Sequence, residues 1–142
     1  MPEAANEIVI VRPQAEVFAF LANAENDKRW RGGILDIEHV SGRGVGARYR
    51  QGMSGPRGRR IDADIEISEY EPDRLIGFRA VAGPVRPRGR YTLTALDGET
   101  SVRLELHAEV RGLKKLMAPM VQRAMDNQVA ALSQLKRILE AT

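Results

Sequence analysis

The chain has 142 residues, a net charge of +3 and no cysteine, and these facts exclude several classes of protein. A chain of this length can bury one real core, so we expect a single domain over residues 1–142. The absence of cysteine excludes disulfides, thiol nucleophiles and thiolate metal sites. The chain has neither a long apolar run nor the basic and apolar start of a signal peptide, so we expect a cytoplasmic protein without integral membrane association.

The small positive charge does not indicate a nucleic-acid-binding protein. The chain has 22 Lys and Arg against 19 Asp and Glu, and the arginines are spread from Arg12 to Arg137 rather than collected in one block. Three Tyr, three Phe and one Trp offer few platforms for base stacking. We therefore expect no nucleic-acid partner.

The N-terminal part of the chain predicts a strand followed by two short helices. Residues 7–12 form a β-branched run that ends at Pro13. Residues 14–21 place large apolar side chains at helical spacing. Residues 23–30 are polar until Trp30, which predicts a second short helix whose last turn brings the tryptophan inward.

The middle of the chain predicts six further strands joined by tight turns. Residues 59–70 alternate most clearly, with apolar side chains on one face and polar, mainly acidic, side chains on the other. The Asp97-Gly98 pair is typical of a two-residue hairpin turn. The remaining strands are predicted at residues 34–40, 47–53, 74–82, 90–96 and 101–110.

The hairpin registers predict where the charged side chains point. Around the two-residue turn, Arg90 faces Glu105, and a five-residue turn at residues 54–58 sets Arg50 against Asp62. Both hairpins predict ion pairs on the solvent face, worth up to about 1 kcal/mol each. Five arginines near the turns have no such predicted partner, so binding of an anion at a pocket mouth stays an open alternative: Arg57, Arg59, Arg60, Arg86 and Arg88.

From residue 113 onward the apolar period changes from two to 3.6, which predicts one long amphipathic helix. Pro119 predicts a kink or break between a short first segment and the main helix. The predicted apolar stripe contains Leu113, Met117, Met120, Val121, Ala124, Ala131, Leu135, Ile138 and Leu139.

Gln128 lies close to the centre of this stripe. An amide without a partner there costs on the order of 1–3 kcal/mol. We therefore expect that Gln128 bonds Tyr49, Tyr91 or Gln51, or that it meets a ligand.

The short connections imply an antiparallel sheet, because parallel strands need longer crossovers. The stripe of the last helix is the element long enough to cover one face of that sheet. The predicted fold is α+β and of the helix-grip type. A curved, seven-stranded antiparallel sheet wraps around a long C-terminal helix, with two short helices between the first and second strands.

The titratable side chains form no recognisable catalytic set. His107 is predicted opposite Arg88 on the outer face, and His39 is either an exposed edge residue or a base at the pocket rim. The acidic side chains of residues 59–70 face solvent. The sequence has neither metal-ligand spacing nor a nucleophile elbow, so we expect no metal and no cofactor.

The inward face predicts a pocket for a small ligand. Aromatic and methionine side chains with a few isolated polar groups are typical of such pockets, although an ordinary core uses the same residue types. The predicted pocket residues are Trp30, Tyr49, Gln51, Met53, Phe78, Tyr91, Leu104, Met117, Met120, Val121, Ala124 and Gln128.

Three strings carry a family resemblance: IVRP at 10–13 leading to VFAFL at 17–21, the polar stretch ending in Arg29-Trp30, and GVGARYR at 44–50. With the order of elements, they resemble the START-like superfamily, also called SRPBCC, and in particular its polyketide cyclase/dehydrase branch. The resemblance covers nearly the whole chain. It implies a cavity between the sheet and the long helix, without a shared catalytic residue set.

Three functions remain open at this point. The favoured one is binding of a small hydrophobic or amphipathic ligand, such as a lipid, a polyketide or an aromatic metabolite, by a monomer or homodimer. The alternative is a cyclase or dehydratase in which Tyr49, Tyr91 or Gln51 holds an enolate oxygen and His39 is the base. The third is a stress or partner-binding module with a collapsed pocket.

Overall fold

The computed structural model describes residues 2–83, 85–110 and 112–141. In this part of the chain, one antiparallel sheet of eight strands has the order β1-β8-β7-β6-β5-β3-β2, with β4 also paired to β3. The strands are β1 Glu3–Ile10, β2 Ile34–Ser41, β3 Arg48–Ser54, β4 Arg60–Asp62, β5 Ile65–Glu71, β6 Leu75–Ala80, β7 Arg88–Leu96 and β8 Glu99–His107.

The helices confirm the predicted order. Two short helices lie between β1 and β2, and the C-terminal helix follows β8. The helices are α1 Gln14–Ala22, a 3₁₀ helix Ala24–Arg29, a 3₁₀ turn Pro56–Gly58, a 3₁₀ helix Gly112–Met117, α2 Ala118–Ala130 and α3 Leu132–Glu140.

The helix-grip fold is therefore confirmed, with one correction to the strand count. The predicted strand over residues 59–70 is two strands, β4 and β5, separated at residues 63–64. Across this break the Ala63 N–H still donates to the Gln51 carbonyl at 2.8 Å. The alternation of side chains therefore continues through the interruption, which explains why the pattern indicated a single strand.

The two predicted hairpin registers had different outcomes. In the β7–β8 hairpin Arg90 pairs with Glu105, as predicted. In the β3–β4 hairpin Asp62 pairs with Gly52 rather than Arg50, so the predicted register was wrong by two residues. The five-residue turn begins one residue later than predicted and is closed by a 2.7 Å bond from the Gly55 N–H to the Arg59 carbonyl.

A shift of two residues keeps every side chain on its predicted face. The arginines therefore do point to solvent, but they pair with other carboxylates than predicted. Arg48 lies 2.8 Å from Glu66, and Arg90 lies 2.8 Å from Glu69.

The C-terminal helix is interrupted near Pro119, as predicted. The 3₁₀ helix ends at Met117, and the proline occupies the first turn of α2, where its missing N–H costs no hydrogen bond. A second interruption at Ala131 was not predicted. There the Ala131 N–H is shared between the Asn127 and Gln128 carbonyls.

The buried face of the C-terminal helices differs from the predicted stripe. The stripe included Leu135 and Leu139, which are buried, but also Met120 and Ala124, which are exposed. It omitted three buried residues, Met125, Val129 and Leu132. The Leu113 side chain lies outside the described part of the structure.

The reason for this difference is that α3 and the end of α2 pack on the sheet, whereas the start of α2 stands over a cavity. Leu132 and Leu135 are fully buried, together with Ile10, Val17 and Val102 from the strands and α1.

None of the helices in the described residues is long and apolar enough to span a membrane.

Candidate functional site

A cavity of about 370 Å³ lies between α2 and the inner face of the sheet. This volume is within the range of small-molecule sites, toward its lower end. Most of the lining is apolar and comes from β3, β4, β5, β6 and β8, from the connections next to them and from the first half of α2. Seven of the twelve predicted pocket residues line it: Gln51, Met53, Phe78, Met117, Met120, Val121 and Ala124.

The structure places the other five predicted pocket residues outside this lining. Trp30 and Tyr91 are buried and pack edge-on, with ring centroids 6.2 Å apart. Tyr49 is buried next to His39, and Leu104 lies in the core. Gln128 does not line the cavity but bonds Arg31, which does. A direct ligand contact of any of these five residues stays a prediction.

The charged side chain on the cavity wall is Arg31, which the sequence analysis missed. Its Nη1 lies 3.0 Å from Asp27 Oδ2, and its Nε donates to Gln128 Oε1 at 2.5 Å. Gln128 in turn donates from Nε2 to the Gly32 carbonyl at 3.1 Å. Gln128 therefore satisfies its amide on residues 31 and 32, and not on a tyrosine or on Gln51 as expected.

The local fold explains how this cluster forms. The 3₁₀ helix Ala24–Arg29 begins with Asn23, whose side chain accepts from the Glu25 N–H at 3.1 Å. The turn that follows places Asp27 and Arg31 four residues apart on one side, with the buried Trp30 between them. This spacing is the sequence signal that could have revealed the pair.

Burial dominates the electrostatics of the cluster. Burial raises the pKa of Asp27 from 3.8 to about 6, although the neighbouring Arg31 charge and hydrogen bond act to lower it. Burial also raises the pKa of Tyr91, and the negative charge of Asp27 adds to that effect. Tyr91 therefore stays protonated at neutral pH.

Several buried polar atoms close to the cluster lack hydrogen bonds within the described chain. Gln51 donates from Nε2 to the Ala63 carbonyl at 3.0 Å, but its Oε1 has no partner. Trp30 Nε1 also has none, and the Tyr91 hydroxyl lies beside Arg31 without a hydrogen bond of good geometry. Unpaired buried polar atoms are uncommon in native proteins and concentrate where water or a ligand completes them.

Arg31 can donate a hydrogen bond to a bound molecule. A guanidinium has five N–H donors, of which Asp27 and Gln128 accept two. Its Cζ lies 5.9 Å from the centre of the Phe78 ring, another part of the cavity wall. The cavity thus combines apolar walls with one fixed donor group.

The two histidines lie away from this cavity. His39 is exposed, with Nε2 2.7 Å from the Gly42 carbonyl and its ring 5.1 Å from that of Tyr49. It borders a separate cavity of about 210 Å³ at the other end of β3, so it is not a base at the rim of the main cavity. His107 pairs with Arg88 across the β7–β8 hairpin, as predicted, and lies 3.4 Å from Glu3.

Fold and site together define a START-like protein with an internal cavity. The chain belongs to the family described as polyketide cyclase / dehydrase and lipid transport, whose model matches residues 1–140. None of the curated proteins matches this sequence.

Solved structures with the same fold cover nearly the whole chain. A protein of Thermus thermophilus is 24% identical with a TM-score of 0.81, and 99% of each chain is covered. A START superfamily protein of Mycobacterium smegmatis is 15% identical with a TM-score of 0.73, over 98% of this chain and 94% of that one. The Zhui aromatase/cyclase of Streptomyces sp. R1128 is 14% identical with a TM-score of 0.69, over 95% of this chain and 93% of that one. At these identities the similarity concerns the fold alone.

Proposed function

We propose that the protein binds a small hydrophobic or amphipathic molecule, such as a lipid, a polyketide or an aromatic metabolite, in the cavity under α2. The observation that carries this proposal is an apolar cavity of about 370 Å³ with a buried arginine on its wall. The apolar lining of such an open cavity is in contact with water, which costs free energy in proportion to its area. A bound apolar molecule covers this lining.

The Arg31 cluster supports an amphipathic ligand with an oxygen at one end. Asp27 and Gln128 hold the guanidinium in place, so little side-chain freedom is lost when a ligand accepts its free N–H groups. When the Asp27 carboxyl group is ionised, its negative charge already neutralises the positive charge of Arg31. A carbonyl or hydroxyl oxygen therefore suits the site better than a second carboxylate.

Native mass spectrometry of the freshly purified protein tests this proposal. We expect an added mass that organic extraction removes, followed by identification of the extracted compound. If the protein carries nothing, titration with a panel of fatty alcohols, naphthols and sterols should give saturable binding. A protein that carries nothing and binds none of the panel contradicts the proposal.

A cyclase or dehydratase acting in the same cavity is the second candidate, and Arg31 is the observation that favours it. A fixed guanidinium can stabilise an enolate oxygen as negative charge develops there. The roles first assigned to His39, Tyr49 and Tyr91 lose their support, because these residues do not line the cavity. Within the described residues the lining has no histidine or carboxylate to act as a base, so binding is favoured. Turnover that is unchanged in Arg31→Met would eliminate this role for Arg31, and a protein without turnover of any polyketide-like substrate would contradict the enzymatic alternative.

Other expectations from the sequence stay predictions. These are a single domain over residues 1–142, a cytoplasmic location, a monomeric or homodimeric state, and function without a metal or a cofactor. Size-exclusion chromatography with light scattering would measure the oligomeric state.

A further inference from the structure

The mouth of the cavity lies at one end of the sheet. Three segments border it: the turn after β3 with Pro56, the connection between β6 and β7 with Val85 and Pro87, and the start of α2 with Met117 and Met120. The antiparallel registers place the end of β3, the β6–β7 connection and the segment after β8 at the same end of the sheet. The loop at residues 42–46 lies at the opposite end of β3.

Two large apolar side chains at the start of the C-terminal helical segment are exposed to solvent, one directly before the lining residue Met117 and one in the lining itself. Leu116 is 86% exposed, the highest value among the exposed large hydrophobic residues of the described chain. Met120, four residues further on, is 48% exposed and also lines the cavity. Exposed apolar side chains next to an apolar opening mark a surface that another apolar phase covers.

Positive side chains flank these apolar residues. Arg57 and Arg59 follow Pro56 in the turn after β3, Arg86 lies between Val85 and Pro87, and Lys115 precedes Leu116; all four are exposed. Arg57, Arg59, Arg86 and Lys115 have no ion-pair partner among the residues that the structure describes, whereas Arg48, Arg50, Arg79 and Arg90 of the strands have carboxylate partners. This set, Arg57, Arg59, Arg86, Lys115, Leu116 and Met120, is called the mouth surface below.

We propose that the mouth surface docks on an anionic lipid membrane, with Leu116 and Met120 inserted among the lipids and the cations against the headgroups. Apolar side chains surrounded by Lys and Arg are what a protein needs to lie on an anionic bilayer. The docked orientation opens the cavity toward the lipid phase. This choice of partner rests in part on the proposed function, because an apolar ligand partitions into membranes and enters from there without crossing water.

Other anionic partners fit the mouth surface less well. Nucleic acid accounts for the cations but leaves the exposed Leu116 in water, and the mouth surface contains no aromatic side chain for base stacking. An acidic protein accounts for the charges too, and a failure to bind anionic vesicles would overturn the proposal and leave such a protein as the alternative.

Vesicle co-sedimentation tests docking without any knowledge of the ligand. The protein should bind vesicles of phosphatidylcholine mixed with phosphatidylglycerol, bind phosphatidylcholine alone much more weakly, and lose affinity as salt is raised. The double variant Arg57→Glu with Arg86→Glu should lower the partition coefficient by roughly tenfold or more. Leu116→Asp should also lower it. Since vesicle binding is measured without ligand, its failure leaves the proposed ligand binding standing, and the reverse holds as well.

The loop at residues 42–46 provides matched controls at the far end of β3. Val45 is 65% exposed and Arg43 is an exposed arginine, so Val45→Asp matches Leu116→Asp, and Arg43→Glu matches either single change, Arg57→Glu or Arg86→Glu. Both control variants should bind vesicles as the wild type does. Losses in the controls as large as those at the mouth surface would show nonspecific adhesion and overturn the proposal.

Insertion itself can be measured because the chain has no cysteine. A polarity-sensitive dye on Leu116→Cys should shift its emission to the blue with anionic vesicles, and the same dye on Val45→Cys should not. Equal shifts at the two sites, or none at Leu116→Cys, would contradict docking through the mouth surface.

Discussion

The guanidinium of Arg31 and the carboxylate of Asp27 form an ion pair, with Nη1 and Oδ2 3.0 Å apart, in which both side chains are at least nine-tenths buried. Gln128 completes the arrangement from α2. Two segments that are distant in sequence, residues 27–31 and α2, therefore meet at one side of the cavity wall. The predictions below concern this pair, the wall of the cavity and its occupancy.

Asp27 should give protein stability a distinctive dependence on pH. Its pKa in the folded protein is about 6, above the ordinary 3.8, because burial disfavours the charged carboxylate. Between pH 3.8 and about 6, Asp27 is therefore protonated to a greater extent in the folded state than in the unfolded state. The contribution of Asp27 to the free energy of unfolding rises as pH falls through 6 toward 4, by on the order of 3 kcal/mol in total.

The variant Asp27→Asn isolates this effect, because its amide keeps an acceptor for Arg31 but does not titrate. Tyr49 and Tyr91 also interact with Asp27, and burial raises the pKa of both above the ordinary tyrosine value of 10, far outside this range. Urea unfolding over a pH series should show the wild type gaining stability relative to the Asp27→Asn variant as pH falls from 6 to 4. A difference that is constant over this range would refute the assignment.

Removal of Arg31 should be far more costly than removal of a surface arginine. Arg31→Met leaves the Asp27 carboxylate buried without its cation, which costs about 3–5 kcal/mol near neutral pH and less at pH 5, where Asp27 takes up a proton. Arg90→Met is the matched control, because Arg90 bonds Glu69 on the partly exposed outer face and should cost less than about 1 kcal/mol. Similar losses of unfolding free energy in the two variants would argue against a buried pair.

Gly89 should control the shape of the cavity wall. A Cβ at this position would overlap the ring of Phe78 and the side chain of Leu106, both of which line the cavity. Gly89→Ala should therefore displace Phe78, lower stability by about 1–3 kcal/mol and weaken ligand binding. Gly32→Ala is the control, since a Cβ there meets no atom within 4 Å. Denaturation and ligand titration of the two variants give the comparison.

Local signals in the sequence account for much of the fold. The Asp97-Gly98 turn determines the whole β7–β8 register, because a two-residue turn leaves no freedom in pairing Arg90 with Glu105. Pro119 likewise identifies the start of α2. The five-residue turn after β3 allows its first residue to shift, and for that reason the predicted register there was wrong.

The site could be predicted only in part, because its decisive contacts join distant segments. Met120 and Ala124 fit the apolar stripe equally well in a filled core and beside a cavity, since both environments use the same residue types. The burial of Arg31 depends on where α2 lies relative to residues 27–31, which helical periodicity does not specify. Gln128 was singled out as a polar residue in the apolar stripe, but its partners, Arg31 and the Gly32 carbonyl, were not among the three residues that were considered.

Ligand occupancy of the cavity is measured most directly with a matched pair of tryptophan substitutions on α2. Ala124 lines the cavity, whereas Ala130 is an exposed residue of the same helix outside the lining. The neutral fluorescent probe N-phenylnaphthylamine should bind the wild type and Ala130→Trp with equal affinity. Ala124→Trp fills the space and should bind the probe at least roughly tenfold more weakly, with an unchanged circular dichroism spectrum. Equal affinities in all three folded proteins would contradict ligand binding in this cavity.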